Sequence, residues 1–451
     1  MVSVPVEFLF AWPGVLSRRR ILFGTGSHDS ETNLSRQIRA FLAASGGKCE
    51  SRRFHAQWQQ FLVSLGFVQF LIMQRIKTLP RPNWQQRVEE VGLTFHSPEG
   101  QIYWDESAYY ELTASEVDLL EKAGNDVYDM CVQAAQHIVD NDLFDRLALP
   151  PAAVPLIVES WNRDDFSLYG RFDFAWPGFG PPKLLEFNAD TPTALVEAAV
   201  AQWYWLQDLK PNADQFNSIH EKLIRAWSKL EPKEIRVEFA SVKDHPEDEQ
   251  TVLYLQDTAH QAGLQTRPVF IEDIGFHPIR RRFVDSRNET IDRLFKLFPW
   301  EWIVASEFAP HLKLNVCQFI EPMWKMLFSN KGILPILWEL FPKHPNLLPA
   351  YFDEADLRKN TIASRYVRKP LLSREGANIQ IIEHGRPSAE TPGEYGDEGY
   401  IFQEAADLGA SDGNYPVFGI WIVDHEACGL GIREDRSPIT GNLSRFVPHL
   451  F

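Results

Sequence analysis

The stretch Gly170-Arg171-Phe172-Asp173-Phe174, followed closely by Leu184-Leu185-Glu186-Phe187-Asn188-Ala189-Asp190-Thr191, decides the reading of this chain. Side chains alternate between faces along a strand, so Arg171 and Asp173 share one face of a first strand, and Glu186 and Asn188 share one face of a second. Pro177-Gly178-Phe179-Gly180-Pro181-Pro182 between them can only be a loop, which predicts a hairpin. One arginine, two acids and an amide then converge on a small surface. Carboxylate and amide oxygens suit a hard divalent cation such as Mg²⁺, and a guanidinium fork suits phosphate oxygens. An ordinary hairpin with a solvated polar face has the same spacing, so the rest of the chain has to decide.

A chain of 451 residues, 44% of them hydrophobic, can bury a large core and suggests two or three lobes. Aromatic content of 13%, with 14 Trp, argues against disorder. The net charge of −16 argues against nucleic acid or an anionic membrane as partner. Cys49, Cys131, Cys317 and Cys428 are far apart with no CxxC spacing, so neither zinc nor a disulfide framework is expected, and a reducing cytosol fits best. The longest apolar run, residues 61–73, is too short to span a bilayer, and the chain opens without the basic start of a secretory signal.

Composition shifts near Met73. Residues 1–72 hold eight Lys/Arg against four Asp/Glu, a net of +4 that leaves −20 for residues 73–451. The expectation is that 1–72 is a foreign extension, poorly ordered or an over-extended gene model, with Met73 the natural start. A transit-like or regulatory leader is the rival reading.

Beyond Met73, residues 113–136 read as an amphipathic helix opened by Thr113 and Glu116 at capping-box spacing, and 195–209 as a second helix. Residues 235–240 predict a strand, 251–255 a strand or helix start, 258–262 a helix stopped by Gly263, and 266–271 a strand. This alternation predicts a separate α/β layer over 211–320. Residues 366–371 read as a strand running into the polar, glycine-bearing loop 373–378. Residues 415–423 and 428–434 flank an Asp424-His425-Glu426 turn as a final hairpin.

Lys369 beside that loop is placed to reach a phosphate, although a structural strand-end lysine is the commoner case; Arg374 adds a second cation. Lys331 opens an apolar helix and could hold an anion there. Glu247-Asp248-Glu249 is a surface acid cluster that suits a polyamine if it lines a cleft. No serine-hydrolase elbow, P-loop or complete GxGxxG is present, and the 13 His form no HExxH pair.

Together with Glu159-Ser160-Trp161, Glu321-Pro322-Met323-Trp324-Lys325, Ser329-Asn330-Lys331 and Lys369-Pro370 with Arg374-Glu375-Gly376-Ala377-Asn378, these motifs resemble the glutathionylspermidine synthase family over residues 73–451. The resemblance implies an α/β (α+β) protein with a permuted ATP-grasp fold. Residues 73–210 would carry the Mg²⁺-binding hairpin, 211–320 a pre-ATP-grasp-like α/β substrate domain, and 321–451 the nucleotide-binding part, lid loop and last hairpin. The implied chemistry is ATP-dependent ligation of a small carboxylate, a glutathione-like peptide, to an amine such as spermidine, through an acyl phosphate. The resemblance also implies Asp173, Glu186 and Asn188 as Mg²⁺ ligands and Arg171, Arg374 and Arg433 as catalytic cations. Lys331, Lys369, Gln403 and Glu404 would bind ATP. Thr191 and Thr193 stand where members making glutathionylspermidine place serines, and Asp248 and Glu249 fall roughly where polyamine-binding acids belong. The amidase domain of bifunctional members is not expected upstream of Met73. The alternatives are the same chemistry on another acid and amine, or a silent ATP-binding regulatory module.

Overall fold

The computed structural model describes residues 4–12, 15–23, 73–361 and 364–451. Residues 1–72 and 73–451 are separate compact units. In the first, Val4–Trp12 pairs antiparallel with Val15–Phe23. The remainder of that unit, with Cys49 and most of the 61–73 run, lies outside the described residues, and so does the expectation made for it.

Residues 73–451 are mixed α/β, the expected class. A central antiparallel sheet has the strand order Arg445–Val447, Glu426–Asp435, Tyr415–Val423, Tyr169–Ala175, Lys183–Asn188. The expected first hairpin and last hairpin are therefore neighbours in one sheet, joined through Tyr169–Ala175 and Tyr415–Val423. The back of this sheet carries the helix Ala114–Asp140. It begins with the expected capping box, in which Thr113 and Glu116 exchange backbone and side-chain hydrogen bonds. Gly124 lets the helix lie close, because a β-carbon there would come within 2.8 Å of Ile420. Val127, Cys131 and Ala134 are fully buried on the same helix face.

A second sheet is parallel, in the order Gln318–Ile320, Arg293–Lys296, Val237–Ser241, Thr266–Phe270. The helix Pro246–Gln261 connects its strands Val237–Ser241 and Thr266–Phe270, as a parallel pair requires. Residues 251–255, expected as a strand or helix start, lie in mid-helix. Pro246 in its first turn and the buried Thr251, Val252, Leu255 and Ala259 give it an inward face.

A third, antiparallel sheet has the order Ala350–Tyr351, Tyr400–Glu404, Arg365–Pro370, Gln380–Glu383, Arg386–Glu390. The front of the central sheet and this third sheet enclose a cleft that both line. Among the described residues, no helix is long and apolar enough to cross a membrane.

Candidate active site

The hairpin pairs Arg171 with Asn188 and Asp173 with Glu186, which is the convergence that the spacing predicts. A β-bulge leaves Leu185 without a partner on the first strand. Its freed carbonyl accepts a hydrogen bond from Lys369 Nζ at 2.7 Å. Gln403 Oε1 accepts another from the same ammonium at 2.8 Å, while Gln403 Nε2 donates to Leu184 O. Lys369 thus arrives from the third sheet and is fixed against the hairpin.

Asp173 is clamped. Arg171 donates Nε to Oδ1 at 2.7 Å and Nη2 to Oδ2 at 3.1 Å, and Arg433 Nη2 donates to Oδ2 at 3.1 Å. Asn188 Nδ2 lies 3.2 Å from the same oxygen. Burial works against the charged Arg171 guanidinium, but Asp173 and then Glu186 outweigh it and raise its pKa. Arg171 Nη1 also donates to Thr193 O at 2.5 Å.

Glu186 faces the cleft with its side chain 28% exposed, and Lys331 Nζ stands 3.2 Å from its Oε2. Burial pushes this carboxyl up, but Lys331 and Lys369, with Arg171, outweigh it and hold it at about 2. Burial in turn brings the Lys369 ammonium down to about 8 despite Glu186. Lys331 Nζ also donates to Ser373 O at 2.9 Å, tying the 373–378 loop to the cleft.

That loop is folded over the site. Arg374 Nη1 donates to Thr191 Oγ1 at 2.6 Å. Gly376 has φ +71°, and a β-carbon there would collide with the carbonyl of Thr440. Ile379 and Ile381 pack with Ile439 in a small apolar cluster that lines the cleft.

Two buried ion pairs that the sequence did not announce hold the frame. Lys296, fully buried on the parallel sheet, places Nζ 2.5 Å from Asp190 Oδ1, and Trp300 N donates to Asp190 Oδ2 at 2.9 Å. Glu321 accepts from Ser167 Oγ and from the amides of Leu168 and Tyr169, with Lys325 Nζ 3.3 Å away. The 321–325 motif therefore anchors the start of the Tyr169–Ala175 strand.

Arg171, Asp173, Glu186, Asn188, Thr191, Thr193, Lys331, Lys369, Arg374 and Arg433 all line this cleft. Gln403 supports Lys369 from behind. Glu404 lies on the opposite face of its strand, where burial raises its carboxyl and Lys183 is the opposing charge. Asp248 sits in the first turn of Pro246–Gln261; burial raises it, against His245 and Arg374. In the same turn Glu247, not singled out from its cluster, takes the more buried place, 6% exposed, and burial pushes its carboxyl up to about 8. Glu301 also lines the cleft, raised by burial and then by Asp190. Nothing in the local sequence marks Glu301 or Lys296.

Comparison with known proteins covers the same part of the chain. The family described as glutathionylspermidine synthase preATP-grasp matches residues 75–451. The chain belongs to that family. Its members are ATP-dependent carbon–nitrogen ligases, which is the enzyme class of this chain, and the family accounts for the ATP-grasp type of the mixed α/β fold. The chain is 40% identical over 394 residues to a Haemophilus influenzae protein whose name proposes acid–amine ligase activity, covering 84% of this chain and all of that one. It is 30% identical to trypanothione synthetase of Crithidia fasciculata, covering 72% of this chain and 53% of that enzyme. It is 26% identical to the bifunctional glutathionylspermidine synthetase/amidase of Escherichia coli, over 81% of this chain and 63% of that one. A glutathione synthetase-like effector from Globodera pallida superposes with a TM-score of 0.49 at 9% identity, over 82% of this chain and 99% of its own.

Proposed function

We propose that this enzyme uses ATP and Mg²⁺ to join the carboxylate of a glutathione-like peptide to a polyamine such as spermidine, in the cytosol. The observation that carries this reading is the row Glu186–Asp173 with its cations: Arg171 and Arg433 on Asp173, Lys331 and Lys369 on Glu186. Four cations converging on two carboxylates in one cleft suit a triphosphate and a metal that partly replace those pairings.

The donor set fits a hard cation. Among the described residues, no group of three or more His, Cys, Asp or Glu is placed to hold a metal, so the third oxygen would come from Asn188 beside Asp173 and Glu186. Asn188 here turns its amide nitrogen toward both carboxylates, and the opposite amide flip presents its oxygen instead. Bound there, Mg²⁺ would neutralise phosphate oxygens.

In this reading Lys331 and Lys369 hold nucleotide phosphates, and the Tyr400–Glu404 strand borders the adenine end through Gln403 and Glu404. The acid's carboxylate takes the terminal phosphoryl group, and the amine then displaces phosphate to give the amide. Arg171, Arg374 and Arg433 steady the charge that accumulates, and the 373–378 loop keeps water from the reactive acyl phosphate. Thr191 and Thr193 contact the acid. Asp248, with Glu247 beside it and Glu249 at its edge, faces the amine. Residues 73–210, 211–320 and 321–451 would form the three working parts.

Threonines 191 and 193 in place of serines favour a second reading, the same chemistry on another acid and amine. ADP release with Mg-ATP, across a panel of carboxylates with and without polyamines, tests both. Dependence on an acid and an amine together supports ligation, product mass names them, and nucleotide binding without turnover refutes it.

A further inference from the structure

Glu159 and Ser160, from one of the family motifs, do not line the active cleft. With Leu156 and Arg163 they recur at three- and four-residue spacing, so they form one face of the helix Val154–Asn162 and its cap. That face and residues 316–319, at the outer strand of the parallel sheet, enclose a second cavity of about 310 Å³. Its lining is largely apolar. Phe319 stands T-shaped to Trp300 and to Phe283, with ring centroids 5.1 and 5.7 Å apart, and Leu312 and Met323 continue the wall.

The charge on this lining is one-sided. Glu159, Asp165 and Asp292 stand there against Arg163 as the single lining cation. Arg163 is already taken up by two of them, with Nη1 3.0 Å from Glu159 Oε1 and Nη2 2.7 Å from Asp165 Oδ2. Among the described residues, Asp292 forms no ion pair. Lys296, 4.8 Å from the Trp300 ring, does not line the cavity and is neutralised by Asp190. Ser160 does line it, is 2% exposed, and its hydroxyl has no hydrogen-bond partner among the described residues. A buried hydroxyl is costly to leave unmet, and an N–H donor would meet it.

We propose that this cavity is a binding site for a small primary alkylammonium, separate from the amine subsite of the cleft. The carboxylates and Ser160 meet the ammonium, and the aromatic and aliphatic wall takes the alkyl chain. Trp300 connects the site to the reaction: it lines the cavity, while its amide holds Asp190 in the wall of the cleft. An occupant therefore bears directly on that wall.

The test is calorimetric titration of n-hexylammonium into the full chain near neutral pH, with n-hexanol and n-hexanoate as its neutral and anionic counterparts. Hexylammonium is expected to bind at least about tenfold more tightly than either. Val316→Trp, which fills the cavity, should abolish binding, and Asp292→Asn and Ser160→Ala should each weaken it by about threefold or more. Glu247→Gln, at the proposed amine subsite, should leave it unchanged. No binding by the wild type, equal affinity for hexanol or hexanoate, survival of binding in Val316→Trp, or its loss in Glu247→Gln overturns the proposal. Should Val316→Trp fail to fold, Asp292→Asn decides, because that side chain is exposed and its replacement leaves the packing intact: unchanged affinity overturns the proposal. The readout needs neither ATP nor turnover, so it stands apart from the identity of the acid and amine that are ligated.

Discussion

Arg171 lies against the backbone of Gly419 on the neighbouring strand Tyr415–Val423, because Gly419, the cross-strand partner of Asp173, has no side chain. A β-carbon on Gly419 would stand 2.9 Å from Arg171 Cδ and 3.1 Å from Gly431 O. Gly419→Ala is therefore expected to displace Arg171 from Asp173 and to lower ADP formation by about 10²-fold. Thermal unfolding should show the fold retained. Normal turnover would separate Arg171 from the reaction.

Asp173→Asn removes the charge that two arginines share while keeping the shape. Arg171, 5% exposed, loses its ionic partner. Urea unfolding is expected to show a loss of about 3 kcal/mol, and steady-state ADP release a fall of at least about 10²-fold.

Lys369 should make nucleotide binding pH-dependent. With its ammonium at about 8, the charge that attracts phosphate fades above that pH. Affinity for an ATP analogue is expected to weaken by up to about tenfold per pH unit beyond it, and Lys369→Arg to flatten the profile. In stability the sign is opposite: between about 8 and the usual 10.5 the unfolded chain binds the proton and the fold does not, so this group's contribution to stability rises with pH. Glu186, depressed from 4.5 to about 2, contributes stability that is complete above about 4.5 and lost as pH falls toward 2.

Lys296→Met leaves Asp190 buried with only the Trp300 amide. Denaturant unfolding should show a loss of about 3–5 kcal/mol, much of it recovered by adding Asp190→Asn. Additive losses would mean that the two residues act independently.

Gly376→Ala cannot seat the 373–378 loop against Thr440. Water then reaches the acyl phosphate, so ADP formed per amide should rise well above one. An unchanged ratio would show that the loop does not shield the intermediate.

The hairpin was legible because strand alternation and a Pro/Gly loop are local signals, and the Thr113–Glu116 cap for the same reason. The register joining Tyr169–Ala175 to Tyr415–Val423 was not, since it pairs residues some 250 positions apart. The clearing at Gly419 depends on that assembly, and the Lys296–Asp190 pair on a contact between residues 106 positions apart. Glu247 was hidden differently: its acidic neighbours read as a solvated cluster, and only the helix beginning at Pro246 turns one of them inward.

The Lys183–Asn188 strand is the outermost of the central sheet, and unclaimed backbone along such an edge invites another molecule to add a strand. Here Asn346 O accepts from Leu184 N, and Gln403 and Lys369 cover the carbonyls of Leu184 and Leu185. The side chains that would grip nucleotide thus also guard against self-association. Inactivating substitutions at Lys369 or Gln403 should be examined for clumping during expression before any loss of turnover is blamed on chemistry.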